Sequence, residues 1–315
     1  MISAVTFAGT LTANPAAAST GLEADSEAVE LAELVEQVAP DGAEVVTGEL
    51  VGTAIEATAD GVVVDLPIDS SAAIELAQAN SVGVATLEVA LPEEVDLQPA
   101  VVAPDGSLVY EAADDGASAV VQVLDDGSVR LQTVSPDADS PTEFTYSFGD
   151  NTYPVLQADG SVELFEESGG LAATVGEVAP AWAFDADGQP VPTHYEVLDG
   201  ALVQVIEPGS AASYPIVADP KLTSTWWNKT IYFNRNETNN VALGAGVTGL
   251  IGALIPAHPV VKGAIAAAGG STALVANWAY NRNQCLKIVI YGWPPVFGGV
   301  VPQNATRSEA GGYCK

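Results

Sequence analysis

Residues 214–220, YPIVADP, mark the point at which the charge of the chain changes sign. Of the 41 acidic residues only Glu237 and Glu309 follow this stretch, and of the nine basic residues only Arg130 precedes it. The balance is therefore −38 before Lys221 and +6 from Lys221 onward. So abrupt a reversal predicts two modules with different roles that meet at this stretch.

The composition bounds what the two modules can be. A chain of 315 residues is long enough for two domains with separate cores, and a hydrophobic content of 48% argues against wholesale disorder. The negative charge before Lys221 excludes nucleic acid as a partner there, because phosphates would be repelled. We divide the chain into a signal-like segment over residues 1–18, an acidic leader over 19–60, an acidic β domain over 61–220 and a basic module over 221–315.

The first eighteen residues have the composition of a secretory signal. The segment MISAVTFAGTLTANPAAA is apolar and ends in three alanines before Ser19, which form an A-x-A-like cleavage site, although a positively charged start is missing. We therefore predict a secreted protein. In the acidic leader that follows, apolar residues at near-helical spacing predict one short helix over residues 26–38, which Pro40 would stop.

Residues 61–220 have the pattern of short strands separated by Asp-Gly pairs such as Asp60-Gly61 and Asp199-Gly200. Asp-Gly tolerates the positive φ angles of a tight hairpin turn, so the region predicts an antiparallel meander closed as a sandwich or barrel. One helix is expected to interrupt it over residues 70–79. Calcium-binding repeats need a strict period, whereas the pairs here are irregularly spaced, so we predict no metal and no cofactor.

Apolar, uncharged segments dominate the module after Lys221. Residues 238–261 and 263–281 carry no charge and meet near Pro256 and Pro259, which predicts an apolar αα-hairpin. Residues 285–292 are expected to form a strand, with residues 311–314 returning beside it. The predicted fold class is therefore two-domain, with a mainly-β N-terminal domain (an antiparallel sandwich or barrel) and a small α+β C-terminal module.

The chain contains two cysteines, Cys285 and Cys314, both in the basic module. Because the signal-like segment predicts an oxidising compartment, we expect them to form a disulfide. A reactive thiol or a metal pair is less favoured, since neither cysteine has a histidine or a second cysteine nearby.

Small residues recur at four-residue intervals in both predicted helices of the hairpin, among them Ala245, Gly249 and Ala253. This spacing lets helices approach closely, either in water or in lipid. Basic residues surround the hairpin and predict contact with an anionic membrane or cell-wall surface, and they are Lys229, Arg235, Lys262, Arg282 and Lys287. The alternative is a tightly packed hairpin covered by the neighbouring strands.

Residues 179–206, APAWAFDADGQPVPTHYEVLDGALVQVI, run into YPIVADP and carry a family resemblance. This part of the chain resembles the "PVPTxYEV…YPVVADP" end of a β-rich N-terminal region in uncharacterised secreted actinobacterial proteins. Residues 231–238, IYFNRNET, and the cysteine-containing end resemble variable C-terminal modules in the same group. The resemblance implies secretion and a modular arrangement, and it implies no activity.

Residues able to carry catalysis are few. His194 lies in a predicted strand and His258 between two prolines, and no GxSxG, HExxH or CxxC motif is present. The first hypothesis is therefore a secreted non-enzymatic protein, a bacteriocin- or toxin-like effector. Its acidic carrier or pro-domain would hold a basic, envelope-contacting module by intramolecular attraction. The alternatives are a structural or adhesive extracellular protein, and a hydrolase with a site at the domain junction.

Overall fold

The computed structural model describes residues 25–39, 43–78, 86–114, 116–168, 171–224, 228–244, 269–291, 299–306, 309–310 and 313–314. The helices in these ranges are α1 (Ser26–Val38), α2 (Arg235–Ala242) and α3 (Gly269–Asn281). The strands are β1 (Glu49–Val51), β2 (Ala54–Ala59), β3 (Val62–Pro67), β4 (Ile74–Gln78), β5 (Leu87–Val89), β6 (Val101–Val102), β7 (Leu108–Tyr110), β8 (Ser118–Val123), β9 (Val129–Ser135), β10 (Glu143–Tyr146), β11 (Thr152–Leu156), β12 (Val162–Ser168), β13 (Leu171–Val178), β14 (Ala183–Phe184), β15 (Thr193–Leu198), β16 (Ala201–Ile206), β17 (Ile216–Ala218), β18 (Lys221–Ser224), β19 (Asn228–Tyr232), β20 (Cys285–Tyr291) and β21 (Val300–Ala305).

All strand pairings among the described residues are antiparallel, and they form three sheets. Strands β1 to β5 follow one another in a five-stranded meander, and β10, β16 and β15 form a three-stranded sheet. The largest sheet runs in the order β21-β20-β19-β13-β18-β9-β8-β7-β6, with β11, β12, β14 and β17 attached beside this path. The mainly-β, antiparallel prediction is therefore confirmed.

The Asp-Gly pairs form hairpin turns as predicted. Asp60 and Gly61 have φ angles of 44° and 80° between β2 and β3, and Asp199 and Gly200 have angles of 51° and 89° between β15 and β16. Two successive residues with positive φ are what a type I′ hairpin turn requires. These turns fix the register of both hairpins.

One apolar core lies between the three sheets. It contains Val64 from the first sheet, Phe144 from the three-stranded sheet, and Leu131 and Leu164 from the largest sheet, all fully or almost fully buried. Burial of a side chain of this size contributes roughly 1.5–3 kcal/mol. The shared core therefore joins the sheets into one packed region.

Helix α1 confirms the helix predicted in the acidic leader. The Asp25 carboxylate accepts hydrogen bonds from the backbone N–H groups of Glu27 and Ala28, at 2.9 and 3.2 Å, and so caps the first turn. Ala28, Ala32 and Val35 are buried in a cluster that also contains apolar residues of β7, β8 and β9. The leader helix therefore packs on the largest sheet.

The helix predicted over residues 70–79 is wrong, because this segment contains β4. Ile74 and Leu76 are buried while Glu75 is exposed, and β4 pairs with both β3 and β5. Alternating burial with a period of two is the property of a strand. The alanines favour a helix locally, but pairing on two sides and burial of two large apolar side chains outweigh that preference.

The largest sheet continues across Pro220. Strands β17 and β18, on either side of Asp219 and Pro220, both pair with β9. β18 also pairs with β13, which in turn pairs with β19. The charge changes sign at this point while the sheet does not end there, and the division into two domains stays a prediction.

The strand predicted after the second apolar helix is confirmed as β20, but its predicted neighbour is wrong. β20 pairs with β19 on one side and with β21 (Val300–Ala305) on the other, and the second pairing places Cys285 opposite Ala305. Both edges of β20 are therefore occupied by these two strands. The middle of the predicted apolar hairpin, residues 245–268, lies outside the described residues, as do Lys262, His258 and the predicted signal segment.

The predicted disulfide between Cys285 and Cys314 is present. Their sulfur atoms are 2.05 Å apart and their Cα atoms 5.7 Å apart. Both cysteines are buried in a cluster that includes Phe165 and Tyr232. The bond therefore attaches the C-terminal end to the start of β20, directly after α3.

Candidate envelope-contact surface

Helices α2 and α3 cover the β20–β21 end of the largest sheet. α2 begins with a capping box, in which Asn234 Oδ1 accepts from the Glu237 N–H at 2.9 Å and Glu237 Oε2 accepts from the Asn234 N–H at 2.7 Å. α2 packs on α3, and α3 packs on β20 and β21. Val241, Ala276 and Ile288 belong to the buried cluster of this layer.

The outer side of α3 leaves large apolar side chains in solvent. Leu274 is 73% exposed and Trp278 is 44% exposed, and these two residues are four apart, so they share one side of the helix. The Arg282 guanidinium lies 3.9 Å from the centre of the Trp278 ring, in a cation–π contact. We call Leu274, Trp278 and Arg282 the α3 face. Leu243, at the end of the neighbouring helix α2, is 79% exposed.

The α3 face combines an aliphatic side chain, an indole ring and a guanidinium. Tryptophan and arginine are suited to the boundary between water and lipid, since each has a large apolar body and a polar or charged tip. Cations next to such residues add attraction to anionic headgroups. These are the types of side chain that suit contact with an anionic, partly apolar surface.

Two of the five predicted contact cations are directed into the protein. Arg235 Nη1 donates to the backbone oxygens of Tyr280 and Gln284, at 3.0 and 2.8 Å, and its guanidinium lies 4.2 Å from the Tyr280 ring centre. Lys287 Nζ lies 3.4 Å from Glu309 Oε1 and is mostly buried. Their contacts hold the C-terminal layer together, and leave little of either charge for an envelope.

Of the other three cations, the structure describes the side chain of one. Lys229 is part of β19, with its side chain outside the description, and Lys262 lies outside the described residues. Arg282 is exposed on the α3 face. Leu274 and Trp278 were not predicted as contact residues, although their four-residue spacing within the segment 263–281 was a usable signal.

Replacing Arg235 by lysine should destabilise the C-terminal layer while leaving surface binding unchanged. Lysine cannot donate to both carbonyls from one planar group or stack equally on Tyr280, so we expect a loss of about 1–3 kcal/mol. Urea unfolding of the variant and of the original chain measures this loss. A fall in vesicle binding with unchanged stability would contradict the structural role of Arg235.

A second polar site lies in the interior, around Asp219. Its Oδ1 accepts hydrogen bonds from the Trp182 N–H at 2.9 Å, and from the Tyr195 hydroxyl and Gln204 Nε2, both at 3.4 Å. Burial raises the pKa of this carboxyl to about 7, although the hydrogen bonds from Trp182 and Tyr195 oppose the rise. Because Asp219 is fully buried, it does not form part of a surface cleft for a large substrate. From the sequence, residues 214–220 were predicted only to be the boundary between two modules.

Acidic side chains gather at two exposed places. One is a groove of about 610 Å³ beside α1, with Leu31 and Leu34 on its walls and Glu27, Glu30, Asp114 and Asp137 among its lining residues. The other is a row across the five-stranded meander, in which neighbouring strands pair Glu49 with Glu56, Glu56 with Asp65, Asp65 with Glu75 and Glu75 with Glu88. Like charges directly opposite one another repel, so this row destabilises the meander slightly rather than stabilising it.

Among the described residues, the histidine and the paired glutamates that could serve hydrolysis do not come together. His194 is exposed on β15, and its ring lies 3.4 Å from Glu196. Glu166 and Glu167 are neighbours on β12, so their side chains point to opposite sides of the strand. Within the described residues, no three Asp, Glu, His or Cys side chains form a group able to hold a metal ion.

Comparisons of the chain with protein families and with curated proteins give no match. Among the described helices, none combines the length and hydropathy needed to span a bilayer. The two candidate functional sites in the described residues are therefore the exposed α3 face and the buried carboxyl group of Asp219.

Proposed function

We propose that the chain is a secreted, non-enzymatic protein whose basic C-terminal module contacts an anionic membrane or cell-wall surface. The observation that carries the proposal is the α3 face, where Leu274 and Trp278 are exposed and Arg282 lies over the indole ring. The +6 balance from Lys221 onward adds attraction to an anionic surface. The proposal includes the two-domain arrangement and the apolar hairpin predicted from the sequence.

The acidic groove and the α3 face lie at different parts of the largest sheet. α1 packs on β7 and β8, whereas α3 packs on β20 and β21. Five strand spacings separate β8 from β20 along the sheet. Charges in solvent are screened over roughly 8 Å at physiological salt, so the charged groups nearest to the α3 face have the largest effect on its contact with a surface.

Binding of the full chain to lipid vesicles tests the proposal. We expect sedimentation with phosphatidylglycerol vesicles and much less with phosphatidylcholine vesicles. Trp278→Ala should weaken the binding about tenfold, because an aromatic side chain that leaves water on binding contributes more than 1 kcal/mol. Arg282→Gln should weaken binding to the anionic vesicles alone.

Leu198→Ser is the matched control, because Leu198 is 50% exposed on β15, away from the C-terminal layer. Its binding should equal that of the original chain. No sedimentation of the original chain with either vesicle, or equal losses in the Trp278 and Leu198 variants, would refute envelope contact through the α3 face.

A structural or adhesive extracellular protein is the second candidate. The observation that favours it is the pairing of β18 with both β9 and β13, which joins the two predicted modules in one sheet. Thermal unfolding separates the candidates. A single transition for all strands favours one working unit, and an early transition confined to residues after Lys221 favours a separable effector.

A further inference from the structure

We propose that the folded chain cleaves its own peptide bond between Asp219 and Pro220, with the Asp219 side chain as nucleophile and water as co-substrate. The sequence contains no other Asp-Pro pair. The product would be two chains, residues 1–219 and 220–315, divided where the charge changes sign. This activity does not depend on envelope contact, and either proposal can fail without the other.

The geometry holds the Asp219 carboxyl in place and leaves one oxygen for reaction. Oδ1 accepts from the Trp182 N–H, the Tyr195 hydroxyl and the Gln204 amide, whereas Oδ2 is buried with no hydrogen-bond partner. A hydrogen bond from the backbone N–H of Lys221 also lowers the pKa of this carboxyl. The side chain therefore lies close to the peptide bond that links Asp219 to Pro220. A nucleophile held in this way gains a large advantage in effective concentration.

The peptide bond itself is fixed on both sides. Ala218 pairs with Thr133 and Lys221 pairs with Arg130, both on β9, and the Pro220 carbonyl accepts from the Leu131 N–H at 2.8 Å. The backbone on both sides of the Asp219–Pro220 bond is thus held in one conformation. The same pairing would keep the two products together after cleavage.

The chemical step balances with one water. Oδ2 of the protonated carboxyl attacks the Asp219 carbonyl carbon, the carbonyl carbon–Pro220 nitrogen bond breaks, and the carboxyl proton moves to the proline nitrogen, which leaves as a secondary amine. The cyclic anhydride that forms is opened by water, which regenerates the side-chain carboxyl and forms a new C-terminal carboxyl. Gln204 Oε1 is a second buried atom without a partner, and such atoms hold internal water in proteins.

The charged and titratable groups around Asp219 set the pH dependence. Tyr146 on β10 and Tyr195 on β15 are neutral, since burial raises both hydroxyl pKa values well above 10. Arg130 on β9 favours the ionised carboxylate, but burial of Asp219 outweighs it and keeps the proton on the carboxyl up to about pH 7. Cleavage should therefore slow as the pH rises through about 7.

Incubation of the purified full chain, followed by denaturation and intact-mass measurement, tests the inference. We expect a fragment whose sequence begins Pro220-Lys221-Leu222, with the Cys285–Cys314 disulfide intact. Asp219→Asn replaces the carboxyl group by a weaker amide nucleophile and keeps the shape, and it should reduce fragment formation by about a hundredfold. Pro220→Ala should also slow the reaction, because an alanine nitrogen is a poorer leaving group. Asp69→Asn is the matched control, because the Asp69 carboxylate accepts from Ser71 in the connection between β3 and β4, and this variant should cleave like the original chain.

The comparison with unfolded protein distinguishes self-cleavage from the ordinary acid sensitivity of Asp-Pro bonds. At the same pH, the folded chain must cleave faster than the chain in concentrated guanidinium. Equal or slower cleavage of the folded chain, or fragments that disappear with protease inhibitors, would overturn the inference. Circular dichroism of each variant ensures that a lost reaction is not a lost fold.

Discussion

Asp219→Asn is expected to stabilise the folded protein above about pH 7 and to remove much of the pH dependence of its stability between about pH 4 and pH 7. Burial raises the pKa of Asp219 from 3.8 to about 7. Between these values the folded chain keeps a proton that the unfolded chain has released, so the free energy of unfolding falls as the pH rises and levels off above about 7. A rise of about three pKa units corresponds to about 4 kcal/mol.

The measurement is urea unfolding of both chains across this pH range. Asparagine resembles the protonated aspartic acid in shape and charge, so the two chains should agree near pH 4 and diverge as the pH rises. If the free energy of unfolding changes with pH in parallel for the two chains, or if the variant is less stable than the original chain at pH 8, then Asp219 is ionised in the folded protein across this range.

Asp185→Asn provides a control with the opposite sign. Its carboxylate accepts from the N–H groups of Gln189, Asp187 and Ser213, at 2.8, 3.0 and 3.2 Å. These bonds, from Gln189 first, lower the pKa of Asp185, so it contributes stability at neutral pH that is lost as the pH falls through the lowered value. The asparagine variant should therefore be less stable than the original chain at neutral pH.

Loss of the Cys285–Cys314 disulfide is expected to lower the free energy of unfolding by about 3–4 kcal/mol. The bond closes a separation of 29 residues, and in the chain-entropy model this restricts the unfolded state by roughly that amount. The Cys285→Ala/Cys314→Ala double variant, compared with the original chain by urea unfolding, gives the value. Reductant should destabilise the original chain and leave the double variant unchanged.

Hydrogen exchange locates the effect of the disulfide. Amides of β20 and β21 should exchange faster in the double variant, because Cys285 begins β20 opposite Ala305. Amides of β2 and β3, in a different sheet, should keep their protection. Equal acceleration in both places would mean that the chain unfolds as one cooperative unit.

Local patterns predicted the parts of the fold that depend on local interactions. The near-helical spacing of Val29, Leu31, Leu34, Val35 and Val38 is sufficient to predict α1, and the Asp-Gly pairs are sufficient for their turns, because both depend on neighbouring residues. β4 could not be recognised in this way, since its strand conformation depends on pairing with β3 and β5. The pairing of β20 with β21 is likewise decided by residues that lie apart in the chain.

The candidate sites were less accessible from the sequence. Basic residues alone suggested surface contact, but whether Arg235 faces solvent or two backbone carbonyls depends on where α3 ends. The exposed pair Leu274 and Trp278 has a helical spacing equally typical of a buried face. The burial of Asp219 could not be predicted from its neighbours in the sequence. It follows from the fold, which brings hydrogen-bond donors of Trp182, Tyr195 and Gln204 to its side chain.

The position of β18 has a consequence for the order of events during synthesis. β18 fills the place between β9 and β13, so the acidic region lacks one internal strand until Lys221–Ser224 have left the ribosome. Until then, β9 and β13 have open hydrogen-bonding edges that invite incorrect pairing. A chain that ends at Asp219 should therefore aggregate, whereas a full chain that is cut between Asp219 and Pro220 after folding should stay soluble as a two-piece protein.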